Sequence, residues 1–567
     1  MMTYVRGARP LTRRARLGVA LGLCLGGALV ALAPRGAHAQ TPVPGLHYPE
    51  WLEKNGRSSE PTPSEFKLIN YFFTRGSVTN QLADPTGLRG VSLGPIGVGE
   101  NIGSATRVGD KSTAYYVEQR WIPVLSYSPN FVDGLATFRA QFEVDFLWGQ
   151  AANQVQQNQG GGFNADQINI QTKNVNVAIY PTRNPFKLGV VLGTQSIYDT
   201  IYDPAITSLT EIVRTGYKLT YFGTDATGVS VYGKYGGLWK ASLIPMGAAQ
   251  PDKALENDAR LKFVWLGTLD YAYPVQPGTV VGLSLWHLQD ATKGAAFAFE
   301  GLVKSGPSSS ALSPYMGTSR FNIEAPNGGV TWLGSHFHHN INFAHGDFGA
   351  SGFVMLNFGG YESSNPNTQL QKTVDIMGVS GNLELMYNYG QTEGDTITLE
   401  GMMVSGDSNP LDDKYTSAFT LNYYGIPGAV WFNHKTLILF PFTQTVSNYT
   451  GAVTDISNQG FGLMAAILSA SKDLIPNTLN LKVGLATART AVQPTPRELV
   501  VEGSSVRVER GSLMGTELNA ELKWNIRYLM TVGLHAGVMI PGKFYDGNLQ
   551  VDALPWAAFT TFTWYAF

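Results

Sequence analysis

Few side chains in the 567 residues stand at spacings that could do chemistry. His336 and His338 are two apart, with His339 and His345 close behind. On an extended chain residues two apart share a face, so the first pair has a spacing that a metal ion accepts. The simpler reading is a polar, interfacial strand rich in amphipathic rings, and no metal is assigned there. Asp407, Asn409, Asp412 and Asp413 gather hard oxygen donors of the kind that calcium takes. They lack the twelve-residue calcium-loop pattern, and Asn409-Pro410 reads more simply as a solvated turn. A structural calcium at these four residues is the one cofactor the sequence suggests, and only weakly. Asp84-Pro85-Thr86-Gly87 with Arg89 reads as a turn. No phosphate-binding glycine loop and no G-x-S-x-G is present. His287 and His535 lie on strand-like segments, as a Ser/His pair at a barrel rim would require, but no nucleophile accompanies them. No catalytic or cofactor-binding residue is assigned, and the chain is not expected to be an enzyme. A barrel enzyme remains the lesser alternative.

The other candidates are charges confined to one face of alternating segments. In Phe138–Trp148 the residues Phe138, Ala140, Phe142, Val144, Phe146 and Trp148 share one face, against Arg139, Gln141, Glu143 and Asp145. Arg260–Tyr271 sets Leu261, Phe263, Trp265, Leu269 and Tyr271 against Arg260, Lys262, Thr268 and Asp270. Thr516–Ile526 sets Leu518, Ala520, Leu522, Trp524 and Ile526 against Glu517, Asn519, Glu521, Lys523 and Asn525. Period-two alternation over this length describes strands with one apolar and one polar face, about as long as a tilted membrane strand. Weaker copies lie near 174–180, 215–222, 379–389 and 478–487. Arg139, Glu143, Asp145, Arg260, Lys262, Glu517, Glu521 and Lys523 are thus the candidate pore-lining residues. For any one of them, a salt bridge within the wall is the plainer role.

Composition narrows what can carry such strands. Charged residues make up 14% of the chain, with 40 Lys+Arg against 42 Asp+Glu, while aromatics reach 11% and glycine 64 residues. Disorder would bring more charge and fewer aromatics. A nucleic-acid partner would call for a basic excess. A polytopic helical protein would be far more apolar than a mean hydropathy of −0.05. A membrane barrel fits, because each strand shows lipid only every second residue. A soluble β-helix or sandwich also alternates, but the polar face here carries charge on nearly every clear strand. Trp121, Trp148, Tyr180, Trp286 and Trp332 stand at segment ends, where an aromatic girdle would place them. Long polar loops (153–166, 304–319, 361–373) alternate with tight turns such as Pro181–Asn184 and Asn525–Tyr528.

Residues 1–39 read as a secretory signal. Five arginines precede the apolar run Leu17–Ala33, and a small-x-small site ends at Ala39. Cleavage there removes six arginines and no acid, leaving 34 bases against 42 acids, a net charge of about −8. It also removes Cys24, the only cysteine. Residues 40–110, rich in proline and glycine, are expected to form a periplasmic arm or a plug, with a short helix over Pro63–Phe73 capped by Ser64. Residues 111–567 are expected to form an all-β, antiparallel outer-membrane barrel of about 18 strands (16–20).

The chain ends Phe562-Thr563-Trp564-Tyr565-Ala566-Phe567. A terminal aromatic after period-two positions resembles the signal read by barrel-assembly machinery, which makes that machinery an expected partner through Phe567. Outer-membrane lipids and lipopolysaccharide are the others; nucleic acid is not. Three segments resemble the alginate-export family of outer-membrane porins. They are Gly515-Thr516-Glu517-Leu518-Asn519 running on to Gly537–Gly542, Arg139–Phe146, and Leu188–Gln195 with Gly193-Thr194-Gln195. The loop from Gly406-Asp407 to Asp412-Asp413-Lys414-Tyr415 is also similar. The resemblance implies a channel that exports polysaccharide. The departures are Asn519 in place of an acid, Thr194 in place of arginine, and an acidic mature chain where a polyanion would need a basic ring. The functional expectation is an outer-membrane channel for hydrophilic solutes or an exopolysaccharide. The alternative is a plugged barrel with a structural or interaction role in the envelope.

Overall fold

The computed structural model describes residues 65–82, 107–108, 113–148, 169–184, 187–202, 213–248, 263–291, 293, 323–409, 412–420, 436–440, 452–453, 456–458, 460–494, 496–501, 504–527, 529–546, 551 and 553–566. Eighteen strands make the wall. They are β1 Glu65–Thr79, β2 Ala114–Ser128, β3 Ala136–Trp148, β4 Asn169–Ile179, β5 Leu188–Tyr198, β6 Gly223–Lys234, β7 Leu238–Ala248, β8 Phe263–Gln276 and β9 Thr279–Asp290. β10 Pro326–His339, β11 Phe348–Ser363, β12 Thr373–Asn388, β13 Thr396–Val404, β14 Leu463–Ile475, β15 Leu479–Arg489, β16 Leu513–Arg527, β17 Met530–Pro541 and β18 Trp556–Ala566 complete it.

Each wall strand pairs antiparallel with its neighbours in sequence, and the ring closes where β1 meets β18, from Asn70↔Ala566 to Thr79↔Ala557. Closure leaves no unpaired edge, which is what allows a sheet to sit in lipid. The strand number is the one expected, but its first member is not. Glu65–Thr79 was expected in the arm or plug, partly as a helix. It is a fifteen-residue strand paired along its whole length with β2, from Glu65↔Ser128 to Thr79↔Ala114. The barrel therefore begins at 65 and not at 111. The physical reason is closure: β18 needs a partner, and Phe66, Leu68 and Phe72 alternate outward to supply an apolar face. The signal segment 1–39 and residues 40–64 lie outside the described residues.

Alternation sorts lipid from lumen as the sequence suggests. On β9, Leu283 is 58% exposed and Leu285 47%, while Ser284 and Trp286 between them are 3% and 0% exposed. Short turns gather at the end where β1 begins and β18 finishes; longer connections gather at the other. Two of the turns are written by proline. Pro277-Gly278 joins β8 to β9 with Gly278 at φ 74°, and Pro476-Asn477 joins β14 to β15 with Asn477 at φ 55°. Proline fixes the first turn residue, and a residue tolerant of left-handed φ follows.

One wall strand stops early. β13 pairs with β12 only from Ser380↔Val404 to Asn388↔Thr396. Beyond it, Lys414–Tyr415 runs parallel to β12 at Asp375 and Ile376. The chain leaves the wall at Ser405, whose N–H still donates to Val379 O at 2.8 Å, and turns inward.

Candidate functional site: the barrel lumen

An eighteen-stranded barrel encloses an aqueous bore unless something fills it. Here two segments of the chain fold inward, and the wall is built in two layers to receive them. Toward the short turns the inward side chains are polar: Lys240, Asp270, His336, Glu384, Glu400 and Lys482 come from six different strands. Toward the long connections most of the circumference turns apolar. Leu266, Trp286, Trp332, Met355, Met402 and Ile467 face inward and are buried in one continuous hydrophobic core.

The first inserted segment lies between β5 and β6. Its neck is closed by Asp199, whose N–H donates to Phe222 O at 3.1 Å and whose Oδ2 accepts the Tyr221 N–H at 2.7 Å. Burial holds the Asp199 carboxyl well above its ordinary range, against the pull of the backbone N–H donors around it. Gly216, Lys218 and Leu219 take φ of 55°, 56° and 54°. Two successive non-glycine residues in the left-handed region cost backbone strain, so the surroundings must hold them. They do. Tyr217 meets Trp286 at 4.9 Å, His336 at 5.2 Å and Phe353 at 5.6 Å between ring centroids, mostly edge to face. The Tyr221 hydroxyl bonds the Ser380 hydroxyl. Lys218 Nζ lies 2.7 Å from Glu384 Oε2 and 3.2 Å from Glu400 Oε1. Asn382 Nδ2 donates to the same Glu400 oxygen at 2.9 Å. All three ionic side chains are buried, so this is one ammonium gripped by two wall carboxylates in a low-dielectric setting.

The second inserted segment follows β13. Phe419 packs on Trp332 and Tyr361, and Trp332 Nε1 donates to Phe419 O at 2.8 Å. Farther along, Leu437, Ile438 and Leu439 present three successive backbone N–H groups to Glu517, at 2.5, 3.0 and 2.6 Å. Asn519 Nδ2 adds a fourth donor at 3.1 Å. A carboxylate cradled by consecutive amides is an anion nest, with the wall supplying the anion and the inserted chain the nest.

The candidate wall residues fall into different roles. Arg139 faces the lumen and donates to the Tyr180 hydroxyl at 2.8 Å. Glu143 pairs with Arg120 at 2.8 Å, both buried. Asp145 stands on β3 opposite Arg120 in register. Glu517 anchors an inserted segment. Glu521 lies 3.3 Å from Lys482 and 3.6 Å from His535 Nδ1. Lys523 is exposed near the short-turn end of the same face. Arg260, Lys262 and the terminal Phe567 lie outside the described residues.

Other expectations change. The alternation at 215–222 is not a strand but the inserted loop: Tyr217 and Tyr221 bury in the core and against each other, Leu219 packs with Val213 and Tyr198, and Lys218, Thr220 and Phe222 between them are buried too. Trp286 and Trp332 are not girdle residues. Their neighbours Leu285 and Leu333 face lipid, so both indoles point inward and are fully buried. His336 and His338 share the lumen face, beside Tyr217 and Tyr202. Among the described residues no three metal-binding side chains converge. Asp407 Oδ1 accepts the Asn409 N–H and Asp412 Oδ1 the Lys414 N–H, both at 2.9 Å, as turn carboxylates do. His287 bonds Thr331 at 2.9 Å and His535 bonds Thr561 at 3.1 Å.

Sequence reasoning missed Lys218, Arg75, Arg120 and Glu400. The available signal was weak: Lys218 sits inside an apparent strand, and Glu384 is one polar step in the copy at 379–389.

No family model matches the chain, and no curated protein does. Solved structures similar to it include the outer membrane protein opdK from Pseudomonas aeruginosa, at 11% identity over 88% of this chain and 98% of that one, TM-score 0.44. A BenF-like porin from Pseudomonas fluorescens Pf-5 matches at 10% identity over 89% and 100%, TM-score 0.44. OccK5 (OpdH) from Pseudomonas aeruginosa matches at 9% over 88% and 98%, TM-score 0.40. The resemblance to the alginate-export family, and with it polysaccharide export, finds no support among these comparisons. The barrel stands on its own closed ladder and apolar exterior, an architecture that belongs to the bacterial outer membrane. The chain is a closed, eighteen-stranded antiparallel β-barrel of the outer-membrane type.

Proposed function

We propose that this barrel is a diffusion channel for small hydrophilic solutes. The observation that carries the reading is the polar layer of the lumen wall. Lys240, Asp270, His336, Glu384, Glu400 and Lys482 are polar side chains on the inward face of the short-turn half, and a polar inward layer suits a hydrated path. Among the described residues the inserted segments narrow the lumen with a hydrophobic core, which favours small solutes over polymers. Purified mature protein in planar bilayers is expected to give discrete, small conductance steps. A membrane that stays silent across many insertions overturns the channel reading in favour of a plugged structural barrel. That second reading is favoured by one observation, the hydrophobic core inside the lumen. Deleting 41–110 cannot separate the two, because the deletion removes β1 and opens the wall.

A further inference from the structure

On four adjacent strands the outward face of the barrel changes character toward the long connections. Leu269, Leu285, Leu333 and Leu356 of β8 to β11 stand side by side in register, all exposed. Two residues farther along, the same row reads Gly267, His287, Thr331 and Phe358. Two residues beyond that, it reads Trp265, Gln289, Gly329 and Gly360. The polar side chains are ordered among themselves. His287 Nδ1 lies 2.9 Å from the Thr331 hydroxyl, His287 Nε2 lies 3.4 Å from Gln289 Oε1, and Gln289 Nε2 donates to Gly328 O at 2.8 Å. The Trp265 ring packs on the imidazole, 5.3 Å between centroids. Two glycines keep the group flat against the wall. A Cβ on Gly267 would stand 2.9 Å from the Trp265 ring, and one on Gly329 would stand 3.0 Å from Gln289 Oε1 and 3.2 Å from His287 Cε1. The result is a shallow platform of indole, imidazole, carboxamide and hydroxyl on the outside of the barrel.

Its level decides what covers it. Gln289 stands ten residues beyond Thr279, where β9 leaves its short turn. Ten residues of strand span roughly 33 Å, and at a tilt of about 40° they climb about 25 Å, the height of the apolar band of an outer-membrane barrel. The platform therefore lies where the acyl chains of the outer leaflet end and the headgroups begin. Against acyl chains its polar groups would lose water without return; against headgroups they can bond. We propose that the platform docks the glucosamine headgroup of lipopolysaccharide, the glycolipid of that leaflet. The indole offers its π face to the C–H edge of a sugar ring. The Thr331 hydroxyl and the Gln289 carboxamide oxygen each have two lone pairs, and the network uses at most one of each. Acceptors thus remain for sugar hydroxyl and amide N–H groups. The two rows contain no lysine or arginine, which fits recognition of the sugar and not of its phosphates. The docking is independent of what crosses the lumen.

Native mass spectrometry of the delipidated mature barrel, offered lipid A and phosphatidylethanolamine in equal amounts, tests this. The parent should retain lipid A in preference to phosphatidylethanolamine. Trp265→Leu and Gln289→Leu install the residue that the next rows of the same strands already show to lipid, and each should weaken lipid A retention about three- to tenfold. Trp524→Leu removes an exposed outward indole near the short-turn end of β16 and should leave retention at the parental level. Gly267→Ala keeps every polar group and displaces only the indole, so it should weaken retention as Trp265→Leu does, and it gives the answer if a leucine variant does not fold. A parent that retains no lipid A, or equal retention by the parent, Trp265→Leu and Gly267→Ala, overturns the site. A loss in Trp524→Leu as large as in Trp265→Leu overturns it too, since any interfacial indole would then serve. Preference for phosphatidylethanolamine that disappears in Trp265→Leu overturns the sugar as ligand, because an ammonium over the indole would then be what binds.

Discussion

Replacing Lys218 by methionine should release the first inserted segment and raise conductance severalfold. In the folded protein the Lys218 ammonium lies within 3.2 Å of both Glu384 and Glu400, and none of the three has access to water. Removing the cation leaves two carboxylates on adjacent strands, Glu384 opposite Glu400 in register, without the ammonium that pairs with both. Breaking a buried ion pair by deleting one partner typically costs about 3–5 kcal/mol. Two unit charges about 4 Å apart add repulsion of roughly 4 kcal/mol at an effective dielectric constant of 20. The wall cannot give way, since each carboxylate is fixed in a continuous ladder. The loop can. It already bears left-handed backbone at Lys218 and Leu219, and that strain is kept only while the ion grip and the aromatic contacts of Tyr217 and Tyr221 outweigh it. Water entering to solvate the carboxylates therefore displaces residues 213–222 and not the strands. The triple replacement of Lys218 by methionine and of both Glu384 and Glu400 by glutamine should bring conductance back toward that of the parent, because neutralising the whole cluster removes the buried charge. Single-channel recording and urea unfolding of the three proteins check this. A Lys218→Met protein with parental conductance and midpoint would show that the grip is not what keeps the loop inside.

That loop also shows where the sequence was legible and where it was not. Lipid imposes its pattern directly: an outward residue must be apolar wherever it meets acyl chains, so Leu283 and Leu285, or Leu518 and Trp524, announce the strand period. Strand number, antiparallel order and the outer-membrane setting follow from that pattern. Nothing equivalent governs the inward face, whose character depends on what folds into the lumen. Trp286 and Trp332 look like girdle residues until the core around Tyr217 and Phe419 is known. Residues 215–222 alternate like a strand because Tyr217, Leu219 and Tyr221 all need burial, though the chain there is not extended. β1 was obscured for a different reason. Its inward face carries Ile69, Tyr71 and Phe73 as well as Lys67 and Arg75, so both faces are largely apolar and the alternation fades. Among the candidate wall charges, Arg139 and Glu143 bond neighbouring side chains, whereas Glu517 holds chain in place. Period and charge are the same in both cases; only long-range contacts separate them.

Glu517 is where the second large effect is expected. Replacing it by leucine removes the acceptor for three consecutive buried N–H groups, those of Leu437, Ile438 and Leu439. Each buried donor left without a partner costs about 1–3 kcal/mol. The segment also accepts Ala452 N–H at Ile438 O and Val453 N–H at Leu439 O, which do not involve Glu517. Those bonds satisfy carbonyls, however, and do nothing for the orphaned donors. A net loss of about 2–4 kcal/mol corresponds to roughly 30- to 1,000-fold faster hydrogen exchange over residues 436–440, if exchange proceeds through local opening of the segment. Glutamine should do little better than leucine. Its amide keeps one acceptor but points an N–H toward backbone N–H groups, and the charge that strengthened all three bonds is gone. Aspartate keeps the charge but is one methylene shorter and reaches fewer of the amides, so it should fall between glutamate and glutamine. Exchange mass spectrometry of the reconstituted barrel, with a wall peptide from β9 as internal reference, reads this order. Unchanged protection over 436–440 in Glu517→Leu would mean that the apolar packing of Leu437–Phe440 alone holds the segment, and that the nest is incidental. If the order holds, the lumen contains two inserted segments fixed by opposite chemistry: one by a lysine side chain brought to wall carboxylates, the other by backbone amides brought to a single wall carboxylate. The two anchors touch different strands, so their effects on conductance should add in the double variant.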